Sequence, residues 1–296
     1  MLGTTQSWSN STDGFPPPAT SSNPAEVSTR TLRESANMSQ IANRHAVVFG
    51  AGRGIGAAIA RALYDAGAEL TLVDRDQQVG TVAAELNCHS LRADVTDWDA
   101  VQAVAAKCEG QAPVHHVLYA VGLGSGKSGF PFWRMAPSDW KGIFEVNTLG
   151  AVHVAHAFVE PMVQRGDGSF VLLASVSGQF GARNDPPYSA AKAALINFGQ
   201  VMAMDMAEFG VRCNLIAPGI VDTPMQERVY RANVARFVEA QRPDYATWMQ
   251  EKLDANVPLR RPQTVEDIAE AALYLCRAVN VTGQVLNVDG GWVQKG

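Results

Sequence analysis

From His45 onward, apolar and polar positions fall into two alternating patterns. Short runs rich in β-branched and other apolar residues predict strands: AVVFG (46–50), ELTLVD (69–74), HHVLYAV (115–121), SFVLLAS (169–175), VRCNLIA (211–217) and GQVLNVD (283–289), with a weaker one near Ser90-Leu91-Arg92. Between them, apolar residues recur at i, i+3, i+4 over 55–66, 76–86, 97–107, 138–163, 188–209 and 264–277, which predicts helices. Strands that alternate with helices assemble into a parallel sheet covered on both faces. The expected fold is therefore α/β, a doubly wound Rossmann-type sheet in three layers, and the lack of a Pro/Gly-rich linker makes 41–296 a single domain.

Residues 1–40 break the pattern. They are rich in Ser, Thr, Asn and Pro, including Pro16-Pro17-Pro18, and show no apolar periodicity, so they are expected to form a disordered extension. No basic start leads into an apolar core as in a secretory signal, and Asp13, Glu26 and Glu34 argue against a transit peptide.

Charge and cysteine content narrow the partners. With Lys and Arg numbering 24 against 29 Asp and Glu, the net charge is −5, which offers no footprint for a phosphate backbone, and nucleic acid is not an expected partner. No run reaches the roughly 18 to 20 apolar residues of a membrane span, so no membrane partner is expected. Cys88, Cys108, Cys213 and Cys276 are scattered in apolar surroundings without a C-x-x-C pair, which suits free thiols in a reducing, cytoplasmic setting.

The first strand runs into Gly50-Ala51-Gly52-Arg53-Gly54-Ile55-Gly56 and then a helix. Such a turn brings backbone N–H groups and a helix N-terminus to one point, an anion site suited to a pyrophosphate, although tight strand-to-helix turns need glycine for steric reasons alone. Asp74 ends the second strand about 20 residues on, where a carboxylate accepts hydrogen bonds from ribose hydroxyls and repels a 2′-phosphate. That favours NAD over NADP. The rival role for Asp74 is a helix N-cap, and Arg53 and Arg75 are cations that would partly rescue a phosphate.

Tyr188 and Lys192 lie at i and i+4, on one face of a helix, where an ammonium beside a phenol favours phenolate and draws its pKa of about 10 toward the working range. Ser175 ends the fifth strand, where its hydroxyl can face the same crevice and hold a substrate oxygen. Taken singly, each has an ordinary structural reading, a surface pair or a strand-end cap. Three such groups converging on one crevice are harder to explain that way.

The span from about 44 to 294 resembles the short-chain dehydrogenase/reductase family in its single-domain branch. The matching signatures are FGAGRGIG (49–56), Asp94-Val95, Asn147, Ser175, Tyr188-Ser189-Ala190-Ala191-Lys192, Pro218-Gly219 followed by Thr223, and Val288-Asp289-Gly290-Gly291. The resemblance implies that Tyr188 is the general acid/base, that Lys192 lowers its pKa and binds the nicotinamide ribose, that Ser175 holds the substrate oxygen and that Asn147 anchors a water in a proton relay. It also implies a cofactor site drawn from Gly50, Gly52, Arg53, Gly54, Ile55, Gly56, Asp74, Asp94, Val95, Ala120, Gly122, Tyr188, Lys192, Pro218, Gly219, Val221 and Thr223. Strand order 3-2-1-4-5-6-7 and a homotetramer or homodimer follow from the same resemblance. Two positions depart from it: Phe49 replaces a threonine, and Tyr119-Ala120-Val121-Gly122 replaces N-N-A-G. Both lost polar residues normally brace the cofactor loop, so that loop is expected to be less well supported.

No metal is expected. His153, His156 and Glu160 share a helical face, but that helix is the expected subunit interface and no further ligand is evident. The stretch 225–257, helical in pattern and carrying Tyr230, Phe237, Tyr245 and Trp248, reads either as a lid over the substrate or as ordinary surface packing. The pocket is expected to draw on it, on Phe130 to Arg134 and on Gln179 to Pro187. The function expected is hydride transfer between NAD(H) and a small secondary alcohol or its ketone. The rivals are an NADP-dependent ketoreductase such as a 3-oxoacyl reductase, and a catalytically silent dinucleotide-binding protein.

Overall fold

The computed structural model describes residues 41–294 apart from residue 236. The expected N-terminal extension lies outside the described residues. The strands are β1 (His45–Phe49), β2 (Glu69–Asp74), β3 (His89–Arg92), β4 (Val114–Tyr119), β5 (Gly168–Leu173), β6 (Val211–Pro218) and β7 (Val285–Val288). They form one sheet in the order β3-β2-β1-β4-β5-β6-β7, and each neighbouring pair is parallel. Parallel strands connected by crossover helices are covered on both faces, which is why β1 and β5 are predominantly apolar and are buried throughout.

The helices are α1 (Gly54–Asp65), α2 (Gln78–Glu85), α3 (Trp98–Gln111), α4 (Ser138–Phe144), α5 (Gly150–Arg165), α6 (Pro186–Met206), α7 (Pro224–Val234), α8 (Tyr245–Asn256) and α9 (Val265–Arg277). Successive strand residues point to opposite faces. Val47 and Phe49 join a core with α3, α5 and α6, while Ala46 and Val48 join a second core with α1, α2 and α9. These two cores and the sheet between them make the three layers. A third, smaller cluster of Ile220, Met249, Leu253 and Val257 anchors α8, with Tyr245, Trp248 and Trp292 against it.

Two elements depart from the expected pattern. The helix expected over 138–163 is interrupted by a π-helical turn at Glu145–Leu149, a local widening that apolar periodicity does not register and that often marks functional sites. The stretch 225–257 divides into α7 and α8 joined by a short 3-10 turn.

The order of strands reverses direction between β1 and β4. In doubly wound sheets ligands bind beyond the carboxyl ends of the strands at such a switch point. The strand-end segments Gly50, Asp74, Ala120, Ser175 and Pro218-Gly219 all line one cleft there, with a cavity volume of about 980 Å³.

Candidate active site

The phosphate end of the cleft is built from backbone. Gly50 has φ +82°, and a Cβ there would lie 2.8 Å from the carbonyl carbon of Ala120, so this turn approaches the β4 loop as only glycine permits. Gly54, at φ +56°, opens α1 facing empty space, and no side chain caps that helix N-terminus. Uncapped N–H groups and the positive end of the helix dipole therefore face the cleft, which fits a diphosphate. Gly52 does not line the cleft. Its amide instead donates to Asp74 Oδ2 at 2.9 Å.

Asp74 lines the cleft and also accepts from the Asp76 amide at 3.0 Å, so its carboxylate is held in place by two backbone donors. It is not the N-cap of α2, which starts at Gln78 after Gln77 with no side-chain cap; its bonds instead fix the glycine turn and the loop before that helix. Both nearby cations are engaged elsewhere, Arg53 with Asp76 at 3.2 Å and Arg75 with Asp94 at 3.6 Å. Burial raises the Asp94 pKa, but hydrogen bonds from Thr96 and the Arg75 guanidinium outweigh it, and the carboxyl sits below its usual range.

The chemical end is built from α6 and the segment after β5. Asp185 caps α6 through the Tyr188 amide, with Pro186 and Pro187 in the first turn where their missing N–H groups cost nothing. Tyr188 is thus fixed in the first turn, and Lys192 follows one turn later. The Ser175 hydroxyl lies near enough to the Tyr188 hydroxyl to favour its ionised form. A 3-10 turn at Val176–Gly178 follows Ser175 and seats against the backbone of α6, where a Cβ on Gly178 would come within 2.7 Å of the Lys192 carbonyl carbon. Ser189 fastens this turn by donating to Ser177 O at 2.6 Å.

Lys192 is 2% exposed, donates to Leu173 O at 2.6 Å and lies 5.7 Å from the centroid of the Tyr188 ring. Burial lowers its pKa to about 7. Burial also pushes the half-buried Tyr188 up to about 12, with the Ser175 hydroxyl pulling the other way and the Asp185 charge adding to the rise. These shifts run opposite to the expectation that the ammonium acidifies the phenol. At both groups desolvation outweighs the favourable contacts.

Asn147 is fully buried in the π-helical turn and does not line the cleft. Its Nδ2 donates to Leu123 O at 2.8 Å and Ile143 O at 2.9 Å, and its Oδ1 accepts from Leu123 N at 3.2 Å. It therefore clamps the loop after β4. A Cβ on Gly122 would lie 3.5 Å from Asn147 Oδ1 and 3.7 Å from Lys192 Nζ, so both side chains approach that loop.

The two departures from the family pattern are compensated rather than left as gaps. Phe49 packs edge-on against Phe158 with ring centroids 5.9 Å apart. The fully buried Tyr119 donates through its hydroxyl to Val146 O at 2.5 Å, one residue from Asn147. The expected weakening of this loop is therefore corrected: an aromatic ring and a phenol brace it from the core. An N-N-A-G pattern search cannot see that substitution.

Of the remaining expected cofactor residues, Arg53, Ile55, Gly56, Asp94, Val95, Ala120, Gly122, Gly219, Val221 and Thr223 all line the cleft. So do Phe180 to Asp185 and, from α7 and α8, Met225, Gln226, Arg228, Trp248 and Lys252. Phe130 to Arg134 do not, and Phe132 and Trp133 are 63% and 69% exposed. His153, considered above as a metal ligand, has its Nδ1 hydrogen-bonded with Val95 O at 2.9 Å. Sequence reading missed Tyr119, Asp185 and Lys252; for Asp185 the signal was present, an acidic residue directly before Pro-Pro at a helix start.

A switch-point cleft with a glycine turn, a carboxylate at the end of β2 and a Ser–Tyr–Lys cluster points to a dinucleotide-dependent oxidoreductase. A family model described as Enoyl-(Acyl carrier protein) reductase matches residues 50–293. The chain is 34% identical over 248 residues to the acetoacetyl-CoA reductase of Synechocystis, covering 82% of this chain and 94% of the relative. It is 33% identical over 259 residues to the cis-4-hydroxycyclohexanecarboxylate dehydrogenase of Sinomonas cyclohexanicum, covering 85% and 97%. Its fold matches the crystal structure of gox2181 with a TM-score of 0.75 at 24% identity, covering 88% and 98% of the two chains. The chain belongs to the short-chain dehydrogenase/reductase family, an oxidoreductase family that uses NAD(P).

Proposed function

We propose that the protein interconverts a secondary alcohol and its ketone with NAD(H), using Tyr188 as general acid/base. The observation that carries this reading is the convergence of Ser175, Tyr188 and Lys192 at the carboxyl end of β5 and on the first turns of α6, beside an uncapped helix N-terminus. Bound dinucleotide supplies the hydride acceptor for oxidation and the hydride donor for reduction. Ser175 is placed to hold the substrate oxygen beside the Tyr188 hydroxyl. In reduction the phenol donates its proton to that oxygen, and in oxidation the phenolate receives it. Lys192, buried beneath the ring, holds the cluster to β5 through Leu173 O and is placed to pass the proton onward. Asn147 supports the site from behind by fixing the β4 loop.

NAD is favoured because the Asp74 carboxylate lines the cleft at the end of β2, while Arg53 and Arg75 are already paired with carboxylates. A 2′-phosphate would meet a carboxylate and no unpaired guanidinium among these residues. By its family resemblance the protein would assemble as a homotetramer or homodimer and act in the cytoplasm. No helix among the described residues is long and apolar enough to cross a membrane.

The test is a screen of secondary alcohols and ketones with NAD(H) and NADP(H), read by nicotinamide absorbance. Turnover with NAD(H) of at least one alcohol–ketone pair is expected. Tight dinucleotide binding with no turnover across the panel would favour the silent binding protein instead.

A further inference from the structure

The cleft is not evenly charged along its length. At the adenine end, each cation that lines it faces a carboxylate, as described for Arg53 and Arg75. The far wall is different. Arg183 from the loop before α6, Arg228 from α7 and Lys252 from α8 line it, and none has an ion-pair partner among the described residues. Asp185 lines the same region, but its oxygens accept from the Ser125 amide at 2.8 Å and the Tyr188 amide at 3.4 Å.

Lys252 is the most constrained of the three. Its ammonium lies 4.8 Å from the centroid of the Trp248 ring and donates to Gln226 Oε1 at 3.1 Å. A ring face and a neutral amide orient an ammonium without neutralising it. Burial lowers its pKa to about 8, the mark of a cation set in a poorly hydrated place without a counter-charge. A surface lysine kept for solubility would instead extend into water. Helix α7 also reaches the chemical end, since a Cβ on Gly122 would lie 4.0 Å from Met225 Cε and 3.7 Å from Lys192 Nζ. The residue next to Met225 is Gln226, the partner of Lys252.

We infer that the substrate is a hydroxy acid, or the corresponding keto acid, whose carboxylate pairs with Lys252 on the wall formed by α7 and α8. This rests on the proposed alcohol–ketone chemistry and names the class of molecule that chemistry acts on. The ammonium and the amide of Gln226 present donors to the two carboxylate oxygens, and Arg183 and Arg228 add positive potential at the mouth. The reacting carbinol then lies at Tyr188, with the acid group held away from it.

The test uses the full chain with NAD and matched probes: hydroxybutyrate and hydroxycyclohexanecarboxylate, each with its neutral carboxamide and its coenzyme A thioester. The acids are expected to exceed their carboxamides in kcat/KM by about tenfold or more, equivalent to about 1.4 kcal/mol. Lys252→Met is expected to lower that acid-to-amide ratio about tenfold, mainly through KM, and Lys252→Arg to restore most of it. An acid-to-amide ratio near one in the wild type overturns the inference without needing any variant to fold. A ratio that survives Lys252→Met also overturns it. Preference for the thioesters over the free acids would show that the wall receives phosphate and not a carboxylate. If neutral alcohols are oxidised as well as acids, only this inference fails; if no alcohol or ketone of any charge is turned over, the underlying reading fails with it.

Discussion

The two ends of the cleft are made of different materials. The dinucleotide end is backbone: Gly50 and Gly54 in left-handed conformations, an uncapped α1 and a carboxylate fixed by two amides. It sits on the central strands of the sheet, between the two large cores. The substrate end is side chains: Met225, Gln226, Trp248 and Lys252 project from α7 and α8, anchored to a small cluster and to an aromatic group in which Tyr230, Tyr245 and Trp248 lie 5.4 to 6.2 Å apart. A backbone site constrains which residues fit at fixed spacings, whereas a side-chain site can be rebuilt by substitution without disturbing the sheet. On the proposed function, the first end would define the cofactor chemistry and the second would set substrate choice.

The sharpest break of that comparison is at Lys192, which belongs to both ends. Replacing it with Met removes a buried cation beside Tyr188 and, on the proposed function, a group that would contact the dinucleotide. Turnover is expected to fall by at least the roughly 10²- to 10⁴-fold of lost acid–base catalysis, with weaker NAD binding as well, measured by steady-state kinetics and cofactor titration. Stability should move the other way. Because burial lowers the Lys192 pKa to about 7, the folded protein binds fewer protons than the unfolded chain between that value and about 10.4, and wild-type stability gains with pH across that window. The Tm of Lys192→Met relative to wild type should therefore be highest near about pH 6 and decline toward about pH 9. A Tm difference that is flat with pH would contradict the buried-cation account.

Next in size is the cofactor preference. Catalytic efficiency with NAD should exceed that with NADP by about tenfold or more, about 1.4 kcal/mol. Asp74→Ser should narrow the gap by removing the repulsion and releasing the Gly52 amide, though Arg53 and Arg75 would still be held by Asp76 and Asp94. Equal efficiencies in the wild type would refute the role given to Asp74.

A smaller effect is expected behind the site. Tyr119→Phe keeps the ring but leaves Val146 O without its phenolic donor, at about 1–3 kcal/mol for an unsatisfied buried group. For a domain of this size that is a Tm loss of several degrees. Turnover should fall less than tenfold, since Asn147 keeps its own bonds to Leu123. An unchanged Tm would show that the brace contributes nothing.

How much of this was legible in the sequence follows the same division. The strands and most helices could be read from period and spacing, because a doubly wound sheet imposes short apolar runs and amphipathic crossovers. The glycine turn, Asp74 and the Tyr188–Lys192 pair were legible for a related reason: each depends on a fixed spacing along one strand, turn or helix. The π-helical turn at Glu145–Leu149 was not, since its effect on side-chain phase is local. Nor was the Tyr119 brace, which joins β4 to a turn 27 positions away. The cation at Lys252 was hidden too. One lysine on a polar helix looks like any solvated surface lysine until the partner helix places Gln226 and the cleft beside it.

The measurement closest to the central claim compares wild type with Tyr188→Phe, using NAD and the best alcohol found in the screen. The variant keeps the ring and its packing and loses the one hydroxyl placed to exchange a proton beside Ser175. Turnover should drop by about 10²- to 10⁴-fold or more while the NAD dissociation constant changes little. If Tyr188→Phe retains near-normal turnover, the proton leaves by another route and the assignment of Tyr188 as general acid/base is wrong.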